Sequence, residues 1–189
     1  MKRIFIILPL LALLLAGCAA GAYAPTGEKT GDDALDGQVL TLLEELCDPK
    51  ASQEENLAAV YDWVCEEIAY RPGTADTSGG FTEALVQELA AEALSKRKGN
   101  CDSEAALMAG LLTRMGCPAQ VVQGQFQRED GQMVDHAWVV AQVEGTYRHF
   151  DPLYGRYYTD DGARDYFLQT DAVLEQTHTW DRSAVPACP

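Results

Sequence analysis

Apolar residues recur every three to four positions through the first half of the chain, which is the spacing of one face of an α-helix. Ser52 and Glu55 have the spacing of a capping box ahead of the second such stretch. Asn100, a residue type that favours helix starts, precedes a fourth stretch, which Gly116 and Pro118 end. The pattern predicts four helices, with apolar positions spread over residues 35–46, 57–68, 85–94 and 105–115.

Beyond residue 118 the apolar pattern changes to one that is typical of β-strands. Glu144 and Gly145 form a tight turn between the last two predicted strands. The strands are predicted at residues 121–122, 134–143 and 146–150. In the last 25 residues, one more short element is predicted around Tyr166, Phe167, Val173 and Leu174. Helices followed by an antiparallel sheet define an α+β domain.

The first 18 residues have the form of an export signal. Lys2 and Arg3 precede an apolar run of 12 residues, which is too short to span a bilayer because a span needs about 20. The run ends in Leu15-Ala16-Gly17-Cys18, which resembles the lipobox of bacterial lipoproteins. That resemblance implies cleavage before Cys18, lipidation of its thiol, and a protein anchored at the extracytoplasmic face of the cell membrane. An ordinary secretion signal is the alternative.

The composition fits one globular domain on a short extension. The chain has 189 residues, of which 47% are apolar; it is too short for two independent cores and too apolar for global disorder. Residues 19–33 show no apolar period and carry Gly, Pro, Thr and charged residues. We therefore divide the chain into a signal peptide (1–17), a lipid-anchored flexible tether (18–31) and a folded domain (32–189).

Charge and motif content argue against several function classes. With 14 Lys and Arg against 29 Asp and Glu, the formal charge is −15, and so acidic a surface repels the phosphates of a nucleic acid. The chain has three histidines and neither a C-x-x-C nor an H-E-x-x-H motif, so no metal site is predicted. No Gly-rich loop follows a strand, which leaves nucleotide binding without support. No cofactor is expected.

Cys101 is the candidate nucleophile. It lies at the first turn of the fourth predicted helix, where free backbone N–H groups and the helix dipole stabilise a thiolate. The thiolate is the nucleophilic form of cysteine, and a nearby histidine would stabilise it further.

His136 and Asp151 are the candidate partners of that thiol, because the predicted hairpin brings them together. If residues 144 and 145 form a two-residue turn, paired residue numbers on the two strands sum to 289, and Asp151 faces Trp138. His136 is then the diagonal neighbour of Asp151 on the same sheet face, about 7–8 Å away at the backbone. His149 shares that face and is the alternative base.

The local context of these residues resembles the transglutaminase-like superfamily. The segment 99–124 is similar to its nucleophile helix and following strand, and Asp135-His136-Ala-Trp138 and Tyr147-Arg-His-Phe-Asp151-Pro152 are similar to its histidine and aspartate motifs. Residues 56–70 resemble the preceding helix, and the similarity extends over about residues 40–155. The three motifs occur in the order and spacing of the family.

The resemblance implies a papain-like α+β fold with a Cys-His-Asp triad, in which the nucleophile helix packs on an antiparallel sheet. Cys101 would be the nucleophile, His136 the general base and later acid, and Asp151 the orienting partner. Such a triad cleaves or transfers an amide or peptide acyl group through a thioester, as in a cysteine peptidase, an amidase or a protein-glutamine acyltransferase. The expected partner is a peptide or protein substrate.

Other questions remain open from the sequence. A surface-anchored binding module that retains the fold without turnover is the alternative to an enzyme. Trp138 can shape the substrate groove or pack in the core. The sequence does not decide between hydrolysis and cross-linking. It also does not specify the side-chain donor to the oxyanion or the oligomeric state. Export permits disulfides. The sequence specifies no pairing for Cys47, Cys65, Cys117 and Cys188, and all four can equally be reduced thiols.

Overall fold

The computed structural model describes residues 23–73, 75–157 and 165–189. The signal peptide, Cys18 and residues 18–22 of the predicted tether lie outside the described residues. Within the described part, no helix combines the length and the apolar character that a bilayer crossing requires.

Four long helices form the first half of the described chain, as predicted. Their starts follow from the local sequence: Asp32 caps the first helix, Ser52 and Glu55 form the complete capping box of the second, and Asn100 caps the fourth. The helices are α1 (Asp33–Leu46), α2 (Gln53–Glu67), α3 (Glu83–Lys96) and α4 (Cys101–Arg114). Two short parallel strands, β1 (Ala69–Tyr70) and β2 (Lys98–Gly99), closely follow α2 and α3.

The second half is a five-stranded antiparallel sheet with two short helices. Its strands are β3 (Ala119–Gln127), β4 (Met133–Val143), β5 (Thr146–Phe150), β6 (Phe167–Gln169) and β7 (His178–Trp180). The spatial order is β6-β5-β4-β3-β7, so β4 is central. The helices α5 (Pro152–Gly155) and α6 (Asp171–Leu174) follow β5 and β6. The fold is therefore the α+β arrangement that the sequence predicts.

The register of the central hairpin agrees with the prediction. β4 pairs with β5 from Val143–Thr146 through Val139–Phe150, and every pair sums to 289. Glu144 and Gly145 both have positive φ, at 49° and 82°, which is the conformation of a two-residue type I′ turn. This register places Asp151 immediately beyond the last pair, on the face that carries Trp138.

The sheet separates two apolar clusters because successive strand residues point to opposite faces. On one face Ala137, Val139 and Ala141 of β4 join the main core with α1–α4. On the other, Trp138 and Val140 pack with the C-terminal segment in a smaller cluster. The central strand is thus buried on both faces.

The segment 23–31 differs from the flexible tether that the sequence predicts. The Gly27 N–H donates to the Arg114 carbonyl at 3.0 Å, and the Arg114 guanidinium donates to the Gly27 carbonyl at 2.6 Å. The Thr30 N–H donates to the buried Asp36 carboxylate at 2.8 Å. This part of the tether therefore packs on the end of α4, where the last helical carbonyls lack intrahelical donors.

Candidate active site

Cys101 is the first residue of α4, and the cap of that helix orients it. The Asn100 side chain accepts from the Ser103 N–H at 3.1 Å and donates to the Gly73 carbonyl at 2.9 Å. Gly99 allows this tight entry, since an added Cβ would lie 2.5 Å from Ser103 Cβ. The Cys101 thiol is partly exposed and lies at the positive end of the α4 dipole.

His136 and Asp151 form a buried ion pair across the hairpin. His136 Nε2 lies 2.7 Å from Asp151 Oδ2, and both side chains are almost entirely excluded from water. The pair is the diagonal contact that the register requires. Since Nε2 is engaged by the carboxylate, Nδ1 is the nitrogen left for the thiol.

Charge and hydrogen bonding determine the protonation of this pair. Burial by itself lowers the pKa of His136, but the Asp151 charge and hydrogen bond, followed by interactions with Cys101, raise it to about 9. Burial likewise favours a protonated Asp151, yet the His136 charge and the hydrogen bonds from His136 and His178 hold the pKa of that carboxyl below its ordinary value. At neutral pH the pair is imidazolium and carboxylate.

A second imidazole, which sequence reasoning missed, also binds Asp151. His178 Nε2 lies 3.0 Å from the same Oδ2 atom, and its side chain is completely buried. Asp151 Oδ1 accepts from the Tyr154 N–H at 3.2 Å. The sequence carries no motif around residue 178, and the strand that positions it has three residues, so no periodic pattern marks it.

An open cleft of about 710 Å³ reaches the candidate triad, a volume in the range of small-molecule and peptide side-chain sites. Cys101 and His136 lie together in its wall. The remaining wall combines aromatic, charged and aliphatic side chains: Tyr70, Tyr154, Tyr157, Arg128, Glu129, Asp130, Asp135, Val134 and Leu153.

The structure does not bring Trp138 to the cleft, so it is not the groove residue that the sequence proposed. Its side chain is fully buried, its ring stacks under His136 at 5.8 Å, and its Nε1–H donates to His149 Nδ1 at 3.0 Å. His149 in turn lies 2.8 Å from Asp171 through Nε2. Both ring nitrogens of His149 are therefore occupied away from Cys101, and the alternative base is not placed to act on that thiol.

A buried contact between a carboxyl group and a guanidinium lies behind the nucleophile. Glu104, one turn after Cys101 and fully buried, binds the Arg156 guanidinium at 3.0 Å. Burial outweighs this attraction and raises the pKa of Glu104 to about 8. The Arg156 guanidinium also donates to the Val64 carbonyl of α2, so the pair joins α2, α4 and the end of α5.

The other four cysteines of the described residues are free thiols like Cys101. Burial raises the pKa of Cys47 and Cys117 to about 11 and that of Cys65 and Cys188 to about 12. These four thiols stay protonated at neutral pH.

Two side-chain groups have the composition of metal ligands. One is His136, Asp151 and His178; the other is His149, Asp171 and Cys188. In both groups the imidazole and carboxylate atoms that would hold an ion already bind each other at 2.7–3.0 Å. Because the Trp138 N–H donates to Nδ1 of His149, the His149 proton resides on Nε2. Hydrogen bonding thus accounts for both groups.

Comparison with protein-family models matches residues 41–152 to the transglutaminase-like superfamily. Comparison with curated protein sequences gives no significant match. Among solved structures, the chain is similar to a TGase with 19% identity and a TM-score of 0.48, covering 63% of this chain and 31% of that one. It is similar to the periplasmic domain of TgpA from Pseudomonas aeruginosa with 25% identity and a TM-score of 0.43, covering 61% and 41%.

An arylamine N-acetyltransferase from Bacillus cereus is similar with 16% identity and a TM-score of 0.49, covering 65% of this chain and 50% of that one. The chain thus spans half or less of the length of each of these three structures.

Proposed function

Since this chain belongs to the transglutaminase-like superfamily, whose model matches more than half of its residues, we propose that it is a thiol-dependent acyl-transfer enzyme acting on amide or peptide bonds. Cys101 is the nucleophile, His136 the acid and base, and Asp151 the orienting partner. The observation that carries the proposal is the buried 2.7 Å pair of His136 and Asp151, because its imidazole lines the same cleft as the partly exposed Cys101 thiol.

The first half of the reaction forms a thioester. The Cys101 thiolate attacks the carbonyl carbon, and the C–N bond breaks as His136 gives its proton to the leaving amine. The Cys101 backbone N–H, at the first position of α4, donates to the oxyanion, because first-turn N–H groups have no intrahelical acceptor. Imidazolium is the starting form that this step needs, which agrees with the raised pKa of His136.

The second half returns the enzyme to its starting state. Neutral His136 takes a proton from water, the resulting hydroxide attacks the thioester carbon, and the C–S bond breaks to release the acid and the Cys101 thiolate. A primary amine in place of water would give a cross-linked product. We favour hydrolysis, and a peptide or protein as substrate.

Selective alkylation tests the activated thiol. We expect iodoacetamide to modify Cys101 faster at pH 7 than Cys47, Cys65, Cys117 or Cys188, whose pKa values burial raises, with the rate falling at low pH. Peptide mapping by mass spectrometry resolves each site. Equal rates at Cys101 and Cys117 would refute the proposal and favour a binding module.

A peptide library tests the reaction itself. Incubation with the wild type should give products that have gained one water, and Cys101→Ala should give none while it keeps its melting temperature. Cys47→Ala is the matched control, because it removes a buried thiol outside the cleft. Conjugates formed with an added primary amine, in place of hydrolysis products, would show cross-linking.

We further propose that the protein is exported and anchored through lipidated Cys18. The lipobox-like residues 15–18 support this proposal. Membrane fractionation tests it: the wild type should partition with membranes, and Cys18→Ser should appear in the soluble exported fraction.

A further inference from the structure

The second histidine on Asp151 lies outside the three-residue triad. His178 belongs to β7 at the edge of the sheet, opposite Phe126 of β3. It reaches Asp151 across 27 positions of sequence, with Nε2 3.0 Å from Oδ2. Two imidazole N–H groups therefore converge on a single carboxylate oxygen.

The contacts of His178 orient its ring. Nδ1 lies 2.9 Å from the Thr177 hydroxyl, while Nε2 faces Asp151. The neutral tautomer with its proton on Nε2 satisfies both contacts, since the hydroxyl can donate to Nδ1 and Nε2–H can donate to the carboxylate. Aromatic rings enclose it on several sides, with Trp138 at 4.9 Å and Phe126 at 5.1 Å between centroids.

The charged neighbourhood keeps His178 neutral. Burial lowers its pKa, the Asp151 contacts act in the opposite direction, and the His136 charge lowers it again. The single negative charge of Asp151 stabilises one positively charged imidazole, and that imidazole is His136. The titratable groups that face Asp151 and its two imidazoles from the surrounding elements are Cys101 and Glu104 of α4, Tyr61 of α2, His149 of β5, Tyr154 of α5 and Tyr166 before β6.

We propose that His178 is a positioning residue, which holds the Asp151 carboxylate so that His136 presents Nδ1 to Cys101. The proposal rests on the triad function given above. Without the His178 N–H, Oδ2 keeps only the donor that it is meant to orient, and the rotation of the carboxylate about its Cβ–Cγ bond is then restrained mainly by the longer Tyr154 N–H contact of 3.2 Å on Oδ1. Because the site is closed to water on this side, no solvent donor replaces the lost hydrogen bond.

The pH profile of Cys101 alkylation tests this role on the full chain. We expect His178→Leu, which keeps the apolar volume but has no donor, to lower the alkylation rate at pH 6 about tenfold and to move the acid limb of the profile to higher pH. We expect His178→Gln, which places an amide N–H near the position of Nε2, to recover most of the rate.

His149→Leu is the matched control. It removes a buried His–Asp hydrogen bond of 2.8 Å and the acceptor of the Trp138 N–H from the same sheet, and neither contact is made to Asp151. We expect His149→Leu to lose as much melting temperature as His178→Leu but to keep the wild-type pH profile of Cys101 alkylation. That result separates positioning from general stability. A profile that moves as far in His149→Leu as in His178→Leu would overturn the proposal.

Thr177→Val extends the test to a milder change. It removes the hydroxyl that holds Nδ1 of His178, and we expect a shift of the acid limb in the same direction. If His178→Leu does not fold, Thr177→Val decides: a profile identical to the wild type in this variant would overturn the positioning role.

The two proposals fail differently. Normal selective alkylation in folded His178→Leu refutes the positioning role alone, whereas a wild-type Cys101 that reacts no faster than Cys117 refutes the thiol enzyme.

Discussion

Asp151 makes hydrogen bonds through both its side chain and its backbone. Its carboxylate receives His136, His178 and the Tyr154 N–H, and its carbonyl accepts from the Tyr61 hydroxyl at 2.9 Å. Its N–H donates to the Tyr166 carbonyl. A residue that follows β5 and caps α5 thus also sets the protonation of the histidine.

Glu104 makes stability depend on pH. Its folded-state pKa of about 8 lies above the ordinary value of 4.5, so between these values the unfolded chain ionises and the folded one does not. The contribution of the group is therefore full below pH 4.5 and is lost as pH rises through 8. Glu104→Gln stays neutral, and we expect its free energy of unfolding, relative to wild type, to increase by a few kcal/mol between pH 5 and 9.

Urea denaturation at several pH values measures this difference. Glu92→Gln is the control, because Glu92 is exposed, pairs with Lys96 and has a lowered pKa. If the free energy of unfolding of Glu104→Gln differs from that of wild type by the same amount at every pH, the raised pKa of Glu104 is contradicted.

At the scale of elements, what the sequence predicted depended on the length of each pattern. α1–α4, β4, β5 and their turn have repeated periods or strong caps, and the hairpin register followed from the turn alone. This register alone predicts the pairing of His136 with Asp151. β3 is longer than predicted because Gln residues alternate along it and obscure the apolar period.

The C-terminal elements could not be read in the same way. β6, α6 and β7 have three or four residues each, which is too few for a period. β7 is specified by pairing with β3, about 50 positions earlier, and pairing at that distance leaves no local signal. The position of His178 was missed for this reason.

Gly124 controls the contact between β3 and β7. A Cβ there would lie 2.6 Å from Trp138 Cη2 and would also meet the Thr179 carbonyl. We expect Gly124→Ala to displace β7, to destabilise the fold by about 1–3 kcal/mol, and to slow Cys101 alkylation at pH 6 through His178. Thermal unfolding and peptide mapping measure the two effects.

Gly37→Ala is the comparison for that substitution. Gly37 is exposed in α1 and has open space around it, so the change should stabilise by about 0.5–1 kcal/mol. Gly124→Ala with wild-type stability and alkylation would show that β7 does not depend on this close approach.

At the scale of the whole molecule, the segment 23–31 extends the folded unit beyond the domain start that the sequence suggested. It contacts the end of α4 through Gly27 and Arg114, and α1 through Thr30 and Asp36. A lipid at Cys18 would then be joined to the folded unit by a shorter link than predicted.

Two shortened chains test this boundary. We expect residues 32–189 to be less stable than residues 23–189 by about 1–3 kcal/mol, because removal of the segment leaves the buried Asp36 carboxylate without the Thr30 N–H and Arg114 without the Gly27 carbonyl. Urea denaturation measures the difference. Equal stabilities would mean that the segment contributes nothing to the fold.

The number of contacts that Asp151 makes affects which substitutions this fold can accept during evolution. Replacing its side chain removes the hydrogen bonds to two imidazoles and the cap of α5 at once, whereas the partly exposed Cys101 side chain makes fewer structural contacts. We therefore expect that a relative which keeps the fold but loses catalysis replaces the cysteine before the aspartate. A conserved aspartate is then weaker evidence of activity than a conserved cysteine.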